Sequence, residues 1–328
     1  MTEKILFYIV AGLLLWYIGK LYYAWAQGKI LDIPGERSSH SVPTVRGGGI
    51  IFFVAFLILG LWFCFTGLSV CSFLAGFLML GITGFIDDRK TLSPWQRFPV
   101  QFIALLLILQ ASGVWQAPWA VWFKVLYFIV SLGFINAFNF MDGINGITGL
   151  YALAVSLPLW YLNEYIRALP GDWFALLTVS VLAFGYFNFR KKALMFAGDV
   201  GTMSLGSVLL YLLSVAAVKT NSPIILLFVL IYGVDSAMTI IRRLVCRQNI
   251  FEAHRWHLYQ KLVDDFKFSH LKTAVLYAIL QLSVSFIALL LFFHMKNQSE
   301  QWISVSVFLI TFVMIYAAIG IKTLCKRS

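Results

Sequence analysis

The chain has 328 residues, 61% of them hydrophobic and only 12% charged, with a formal net charge of +11. Soluble domains carry roughly 25% charged residues, so an ordinary soluble fold is excluded. Apolar stretches of bilayer-crossing length recur from end to end, which predicts one integral helical membrane domain over residues 1–328.

In chain order, apolar segments are expected near 4–26, 46–67, 69–86, 97–113, 119–138, 145–163, 173–189, 202–218, 223–242, 271–294 and 302–324. That is an all-α bundle of about eleven transmembrane helices by length alone. The first segment lacks a small-residue cleavage site and is expected to be a retained helix.

The positive charge invites a nucleic-acid partner, but its distribution argues against one. With loops assigned alternately to two sides, only Lys4, Arg167, Lys219 and Lys296 fall on one of them. Lys20 and Lys124 lie within segments, and every other Lys and Arg falls on the opposite side. This is the positive-inside pattern. It predicts an outward N-terminus and a cytoplasmic C-terminus, with the excess charge suited to anionic lipid and phosphorylated ligands. The four cysteines show no metal-site or disulfide spacing.

The outer connections are short and plain. The inner ones, near 27–45, 87–97, 139–145, 190–201 and 243–270, are dense in polar residues. A bundle would converge all five on one cleft at the cytoplasmic face.

Asp87 and Asp88 close the apolar run "LMLGITGFIDD". A carboxylate at a helix C-terminus opposes the macrodipole, so a cation or metal is expected nearby; the bland alternative is a solvated helix end. In "NAFNFMDGING", Asn136, Asn139 and Asp142 are spaced by three, which stacks them on one helical face. Interhelical hydrogen bonding explains one such Asn, but three Asn, an Asp and glycines point to a site. "FAGDVGTMSLG" sets Asp199 between Gly198 and Gly201, suited either to a divalent cation or to capping the next helix. "AHRWHLYQ" carries His254, Arg255 and His257, side chains suited to phosphate oxygens but not to zinc. "PGERSSHSVPTVRGGG" offers His40, Arg46 and glycine amides as an anion-binding loop.

In order and spacing, "SSHSVPTVRGGG", "DDRKTLS", "NAFNFMDGING", "FAGDVGTMSLG" and "HRWHLYQ" resemble the polyprenyl-phosphate N-acetylhexosamine-1-phosphate transferases of glycosyltransferase family 4. That family includes the O-antigen-initiating enzymes and the phospho-N-acetylmuramoyl-pentapeptide transferase of peptidoglycan synthesis. The resemblance implies transfer of a sugar-1-phosphate from a UDP-N-acetylhexosamine to undecaprenyl phosphate, with release of UMP. It implies a Mg²⁺ cofactor, with Mn²⁺ as a substitute, and an active site on the cytoplasmic face of the bacterial inner membrane. It makes Asp87 and Asp88 catalytic, with Asp199 and Asp142 toward the metal. Asn136, Asn139, Asp142, His254, Arg255, His257, Arg46 and His40 become substrate-binding. A homodimer is an allowed assembly.

Two departures stand out. Asn145 replaces the second acid of the family's "DGxDG" pattern, and the histidine loop has two His rather than a three-His run. With the "PGERSSH" opening, the latter leans toward the O-antigen branch. A secondary transporter is the rival class, but the polar groups cluster at one face and the halves show no repeat.

Overall fold

The computed structural model describes residues 2–35, 42–67, 70–249 and 254–320. His40 lies outside the described residues. The chain is an assembly of helices with one two-stranded hairpin. Helix α1 (Thr2–Ala26) leads into β1 (Leu31–Asp32) and β2 (Thr44–Val45), which pair antiparallel. Then come α2 (Ile50–Phe65), α3 (Cys71–Arg89), α4 (Pro94–Ala111), α5 (Val121–Phe140), α6 (Ile147–Ile166) and α7 (Asp172–Asn188). Helix α8 (Gly198–Thr220) is followed by a 3-10 helix (Pro223–Val229) that runs into α9 (Leu230–Val245). A short α10 (Leu258–Asp264), α11 (His270–His294) and α12 (Gln298–Gly320) complete the fold.

All eleven expected apolar segments are helical over most of their length. Among the described residues, however, only seven helical stretches are both long and apolar enough to cross a bilayer: α1, α3, α5, α8, the 3-10 helix with α9, α11 and α12. Helices α2 and α7, of 16 and 17 residues, fall short of the ~20 residues that span a ~30 Å hydrocarbon core. Helices α4 and α6 are long enough, but polar residues dilute them, among them Gln96, Arg97 and Gln101 in α4 and Asn163 and Glu164 in α6. The chain is therefore a multi-pass helical membrane protein with a less uniform set of spans than its hydropathy suggests.

Helix α8 is the hub. It is buried along nearly its whole length and packs against α2, α3, α4, α5 and α6. A helix that is apolar on all sides belongs in the interior. Its first turns are rich in small residues (Gly198, Gly201, Thr202, Ser204), which let other backbones approach closely. A Cβ on Gly49 would sit 2.0 Å from the Cα of Gly201, and one on Gly84 would sit 2.6 Å from the backbone of Asp199. These two contacts bring the start of α2 and the end of α3 against the start of α8. Helices α1 and α12, by contrast, expose Leu6, Phe7, Leu13, Ile303 and Met314, as a lipid-facing surface requires.

Candidate functional site

The segment 44–49 runs alongside 195–197. Val45 forms a parallel bridge with Met195, Phe196 N–H donates to Val45 O (2.9 Å), and Gly48 and Gly49 N–H donate to Phe196 O and Ala197 O (2.8 and 2.9 Å). Gly47, at φ +84, turns the chain between the hairpin and α2, a conformation in which glycine has no steric penalty. The Tyr22 hydroxyl fixes this turn by donating to Arg46 O at 2.8 Å. Arg46 is thereby held over the N-terminus of α8.

Three carboxylates and two guanidinium groups meet there. Arg46 Nε lies 2.7 Å from Asp88 Oδ1, and Arg46 Nη2 lies 2.9 Å from Asp199 Oδ1. Arg97, three residues into α4 beyond Pro94, puts Nη1 3.2 Å from Asp87 Oδ2 and 3.6 Å from Asp199 Oδ2. The Asp87 carboxylate of α3 and the Asp199 carboxylate of α8 thus converge on one guanidinium nitrogen. Burial alone would lower Arg46, but the Asp199 and Asp88 carboxylates outweigh it and hold the guanidinium above its ordinary value.

Asp88 has a distinct place in this knot. Its side chain is fully buried, and it accepts the N–H groups of Asp199 (2.8 Å) and Val200 (3.0 Å). An anion that takes two first-turn N–H groups satisfies orphan donors and complements the positive helix end. Asp88 is thus the cap of α8, supplied from α3. Asp87 accepts the Leu92 N–H across the α3–α4 turn as well as Arg97.

The α5–α6 stripe divides. Asn139 accepts the Thr202 hydroxyl at 2.6 Å, which joins it to the start of α8. Asn136 instead faces α4, where its amide donates to Gln101 Oε1, and it also donates to Leu132 O one turn back on α5. Asp142 stands on the turn after α5 and accepts the Thr148 hydroxyl. Burial pushes its carboxyl up to about 6, against the opposing influence of Thr148 and Arg46. Asn145 donates to Arg190 O (2.9 Å) and Lys191 O (3.2 Å), tying this turn to the segment after α7. A carboxylate has no donor to offer there, so the departure at 145 has an architectural reason.

The histidine segment lies against the same turn. The Tyr259 hydroxyl donates to Phe140 O at 3.1 Å. His257 is 3% exposed, with Nδ1 3.4 Å from Asp235 Oδ1. The His254 and His257 rings are 4.9 Å apart. Burial, then the neighbouring charges of His257 and Arg243, hold the His254 imidazole down at about 3, so it is neutral at physiological pH. The Arg255 guanidinium makes a two-point pair with Asp264, at 2.7 and 3.0 Å.

Two residues absent from the sequence expectations as site residues are central to this geometry. Arg97 bridges Asp87 and Asp199. Asp235, 2% exposed in α9, accepts the N–H groups of Leu258 and Tyr259 and the hydroxyl of Tyr277. An acid within an apolar run is itself a signal of function or of a fixed partner.

The glycosyl transferase family 4 model matches residues 70–218, the stretch that contains Asp87, Asp88, Asp142 and Asp199. Similarity to individual proteins extends further. The chain is 28% identical over 281 residues to a phospho-N-acetylmuramoyl-pentapeptide-transferase of Thermotoga maritima, covering 80% of this chain and 87% of that protein. It is 26% identical over 278 residues to a probable undecaprenyl-phosphate N-acetylglucosaminyl 1-phosphate transferase of Bacillus subtilis, covering 76% and 74%. The match to the phospho-N-acetylmuramoyl-pentapeptide-transferase of Lacticaseibacillus paracasei is 29% over 266 residues, covering 69% and 77%. These relatives are of the kind that the five motifs resemble.

Proposed function

We propose that this protein transfers an N-acetylhexosamine-1-phosphate from a UDP-sugar to undecaprenyl phosphate, releasing UMP, at the cytoplasmic face of the bacterial inner membrane. The product is the first lipid-linked intermediate of a surface glycan such as O-antigen. The observation that carries this reading is the meeting of Arg46, Asp87, Asp88, Arg97 and Asp199 at the start of α8, largely inside the family-matched region. The charge asymmetry of the loops supports the cytoplasmic orientation.

In the reaction, an oxygen of the lipid phosphate bonds to the β-phosphorus of the UDP-sugar. The bond from that phosphorus to the bridging oxygen breaks, and UMP leaves with the oxygen. A phosphomonoester has a second pKa near 6, so the acceptor is largely ionised at neutral pH and direct attack needs no strong base. Arg46 and Arg97 are placed to offset phosphate charge, and such electrostatic stabilisation is the main lever in phosphoryl transfer. Asp88, with both oxygens engaged by α8 and Arg46, acts by holding these groups in register.

The donor set fits a hard divalent cation. Among the described residues no three acidic, His or Cys side chains form a metal-holding group. Mg²⁺, however, commonly takes one or two carboxylates and completes its shell with water and substrate phosphates. Asp87 and Asp199, two carboxylates that converge on Arg97 Nη1, are the residues that would hold it. The ion, with Mn²⁺ as substitute, would supply Lewis-acid neutralisation of the diphosphate.

A second reading keeps the chemistry and changes the donor to UDP-N-acetylmuramoyl-pentapeptide; the similarity to the Thermotoga maritima protein favours it. The two-His loop and the "PGERSSH" opening favour the O-antigen branch. Purified protein given undecaprenyl phosphate, Mg²⁺ and a panel of UDP-N-acetylhexosamines that includes the pentapeptide donor tests both. UMP release that requires lipid and cation supports the transferase, and the best donor names the branch. UMP release that does not need the lipid contradicts it.

A further inference from the structure

Cys64 stands in the last turn of α2, and Cys71 is the first residue of α3. Their spacing in the sequence carries no disulfide signature, but the fold brings the two side chains together. The Cys71 thiol donates to the Cys64 sulfur at 2.7 Å. Both are free thiols; Cys64 is half-buried and Cys71 is exposed. Two cysteines can be bridged only where their side chains point at each other, and sulfurs in contact meet that condition.

Packing holds the two helix ends in place without any bond between the sulfurs. Phe63 of α2 and Phe73 of α3 lie on the same Trp173 ring, with centroids 5.8 and 5.1 Å away. A Cβ on Gly60 would sit 2.8 Å from Leu74 Cδ1, so α2 and α3 approach closely just inside the thiols. At the turn itself, Thr66 N–H donates back to Trp62 O (3.0 Å), and Leu74 N–H donates to Val70 O (2.9 Å). The ordering that a crosslink requires is therefore already supplied by the aromatic core.

The position in the chain sets the chemistry. No Lys or Arg occurs between Arg46 and Arg89, so the α2–α3 turn falls on the uncharged side of the bundle. Asp87 and Asp88 mark the opposite end of α3. Among the described residues no third acidic, His or Cys side chain joins the pair, which leaves zinc without its usual ligand set. We propose that Cys64 and Cys71 form a disulfide on the outer face of the membrane, which pins the outer end of α2 to that of α3. The oxidant is a protein or small-molecule disulfide of the outer compartment, where such bonds persist. One cysteine thiolate attacks that disulfide and expels a thiolate; the second cysteine then attacks the mixed disulfide and expels the other. Two electrons and two protons pass from the cysteines to the oxidant, which leaves as two thiols. The compartment rests on the cytoplasmic orientation given under the proposed function; the pairing rests on the contact between the sulfurs.

The test reads thiols, not transfer. Spheroplasts that hold the full chain are treated with N-ethylmaleimide before lysis. The purified protein is then denatured, reduced and treated with iodoacetamide, and peptide mass spectrometry reads which reagent each cysteine carries. In the wild type, Cys64 and Cys71 are both expected to carry the second reagent. In C64S, Cys71 is expected to carry the maleimide, because its partner is gone. Cys71 is exposed, so maleimide on Cys71 of the wild type overturns the proposal. Iodoacetamide on Cys71 of C64S overturns it too, because the bond then goes elsewhere. A membrane-impermeant maleimide on C64S spheroplasts separates the orientation from the bond. Labelled Cys71 is expected and places the turn outside; with free thiols in the wild type, it leaves the orientation standing and the disulfide refuted. Unlabelled Cys71 refutes the outward turn and the proposal with it. Reduction is expected to lower the melting temperature of the wild type by roughly 2–6 °C more than that of C64S, the modest effect of closing a short loop. An equal shift in both contradicts the pinning.

Discussion

Asp88 of α3 accepts the backbone N–H of Val200, 112 residues further along the chain, at 3.0 Å, and so closes the N-terminus of α8. The helix it caps is the hub of the bundle, and the same carboxylate pairs with Arg46. Breaking a buried ion pair by removing one charge typically costs about 3–5 kcal/mol. Asp88→Asn is therefore expected to lower the melting temperature of the purified protein markedly, along with activity. Full loss of activity at an unchanged melting temperature would show that Asp88 acts in chemistry and not in support.

Asp87 makes the opposite contrast. It is held by the Leu92 N–H and Arg97, both of the adjoining turn and helix, and faces Asp199. Asp87→Asn should lower the melting temperature less than Asp88→Asn does, because it breaks one ion pair but uncaps no helix. Its kcat should fall by about 100-fold or more, a magnitude typical for removal of one preorganised electrostatic group. The Mg²⁺ concentration needed for half-maximal rate should rise as well. An unaltered Mg²⁺ titration curve would argue against Asp87 as a metal-holding residue.

Asn145 provides a prediction free of catalysis. Its amide donates to two carbonyls that an aspartate could only repel. Asn145→Asp should destabilise the protein by about 1–3 kcal/mol, the cost of leaving buried polar groups unsatisfied. Thermal denaturation of the two forms, side by side at neutral pH, measures it. Equal stability would mean that the α5–α6 turn does not depend on these bonds.

Asp142 predicts a pH dependence. Its carboxyl is raised from an ordinary 3.8 to about 6 by burial. A raised folded-state value means that the native state binds the proton more tightly than the unfolded chain. Stability is therefore lost as pH rises from about 4 to about 6, and stays lost above that. Asp142→Asn keeps an acceptor for Thr148 and removes the charge. It should raise the melting temperature at pH 8 and have a smaller effect at pH 5. A gain of the same size at both values would mean that Asp142 is not held uncharged by its surroundings.

Much of the fold was legible in the chain because a bilayer imposes a length on apolar runs. The segments near 119–138 and 271–294 could be placed almost to the residue for that reason. The number of spans was less legible, because α2 and α7 are apolar but short and packing sets their place, α2 against α8 and α7 against α1, α2 and α6. The polar stripes of the site were visible as anomalies in an apolar text. Their partners were not. Nothing in "SPWQR" says that Arg97 reaches both Asp87 and Asp199, since that depends on how α4 folds back on α3. Asp235 was visible as an acid inside an apolar run, but its partners, α10 and Tyr277, lie 23 to 42 residues away. Asn136 and Asn139 share a helical face by spacing, yet one turns to α4 and the other to α8, a divergence that only the packing of three helices decides.

The central claim is that the β-phosphate of a nucleotide sugar moves to a lipid phosphate. UDP-N-acetylglucosamine and its N-acetylhexosamine relatives, each labelled with ³²P at the β position, can be incubated with the purified protein, undecaprenyl phosphate and Mg²⁺ and then extracted with organic solvent. The account predicts label in the organic phase, in step with UMP release, for at least one donor. Label that stays in the aqueous phase for every donor, the pentapeptide donor included, would contradict it.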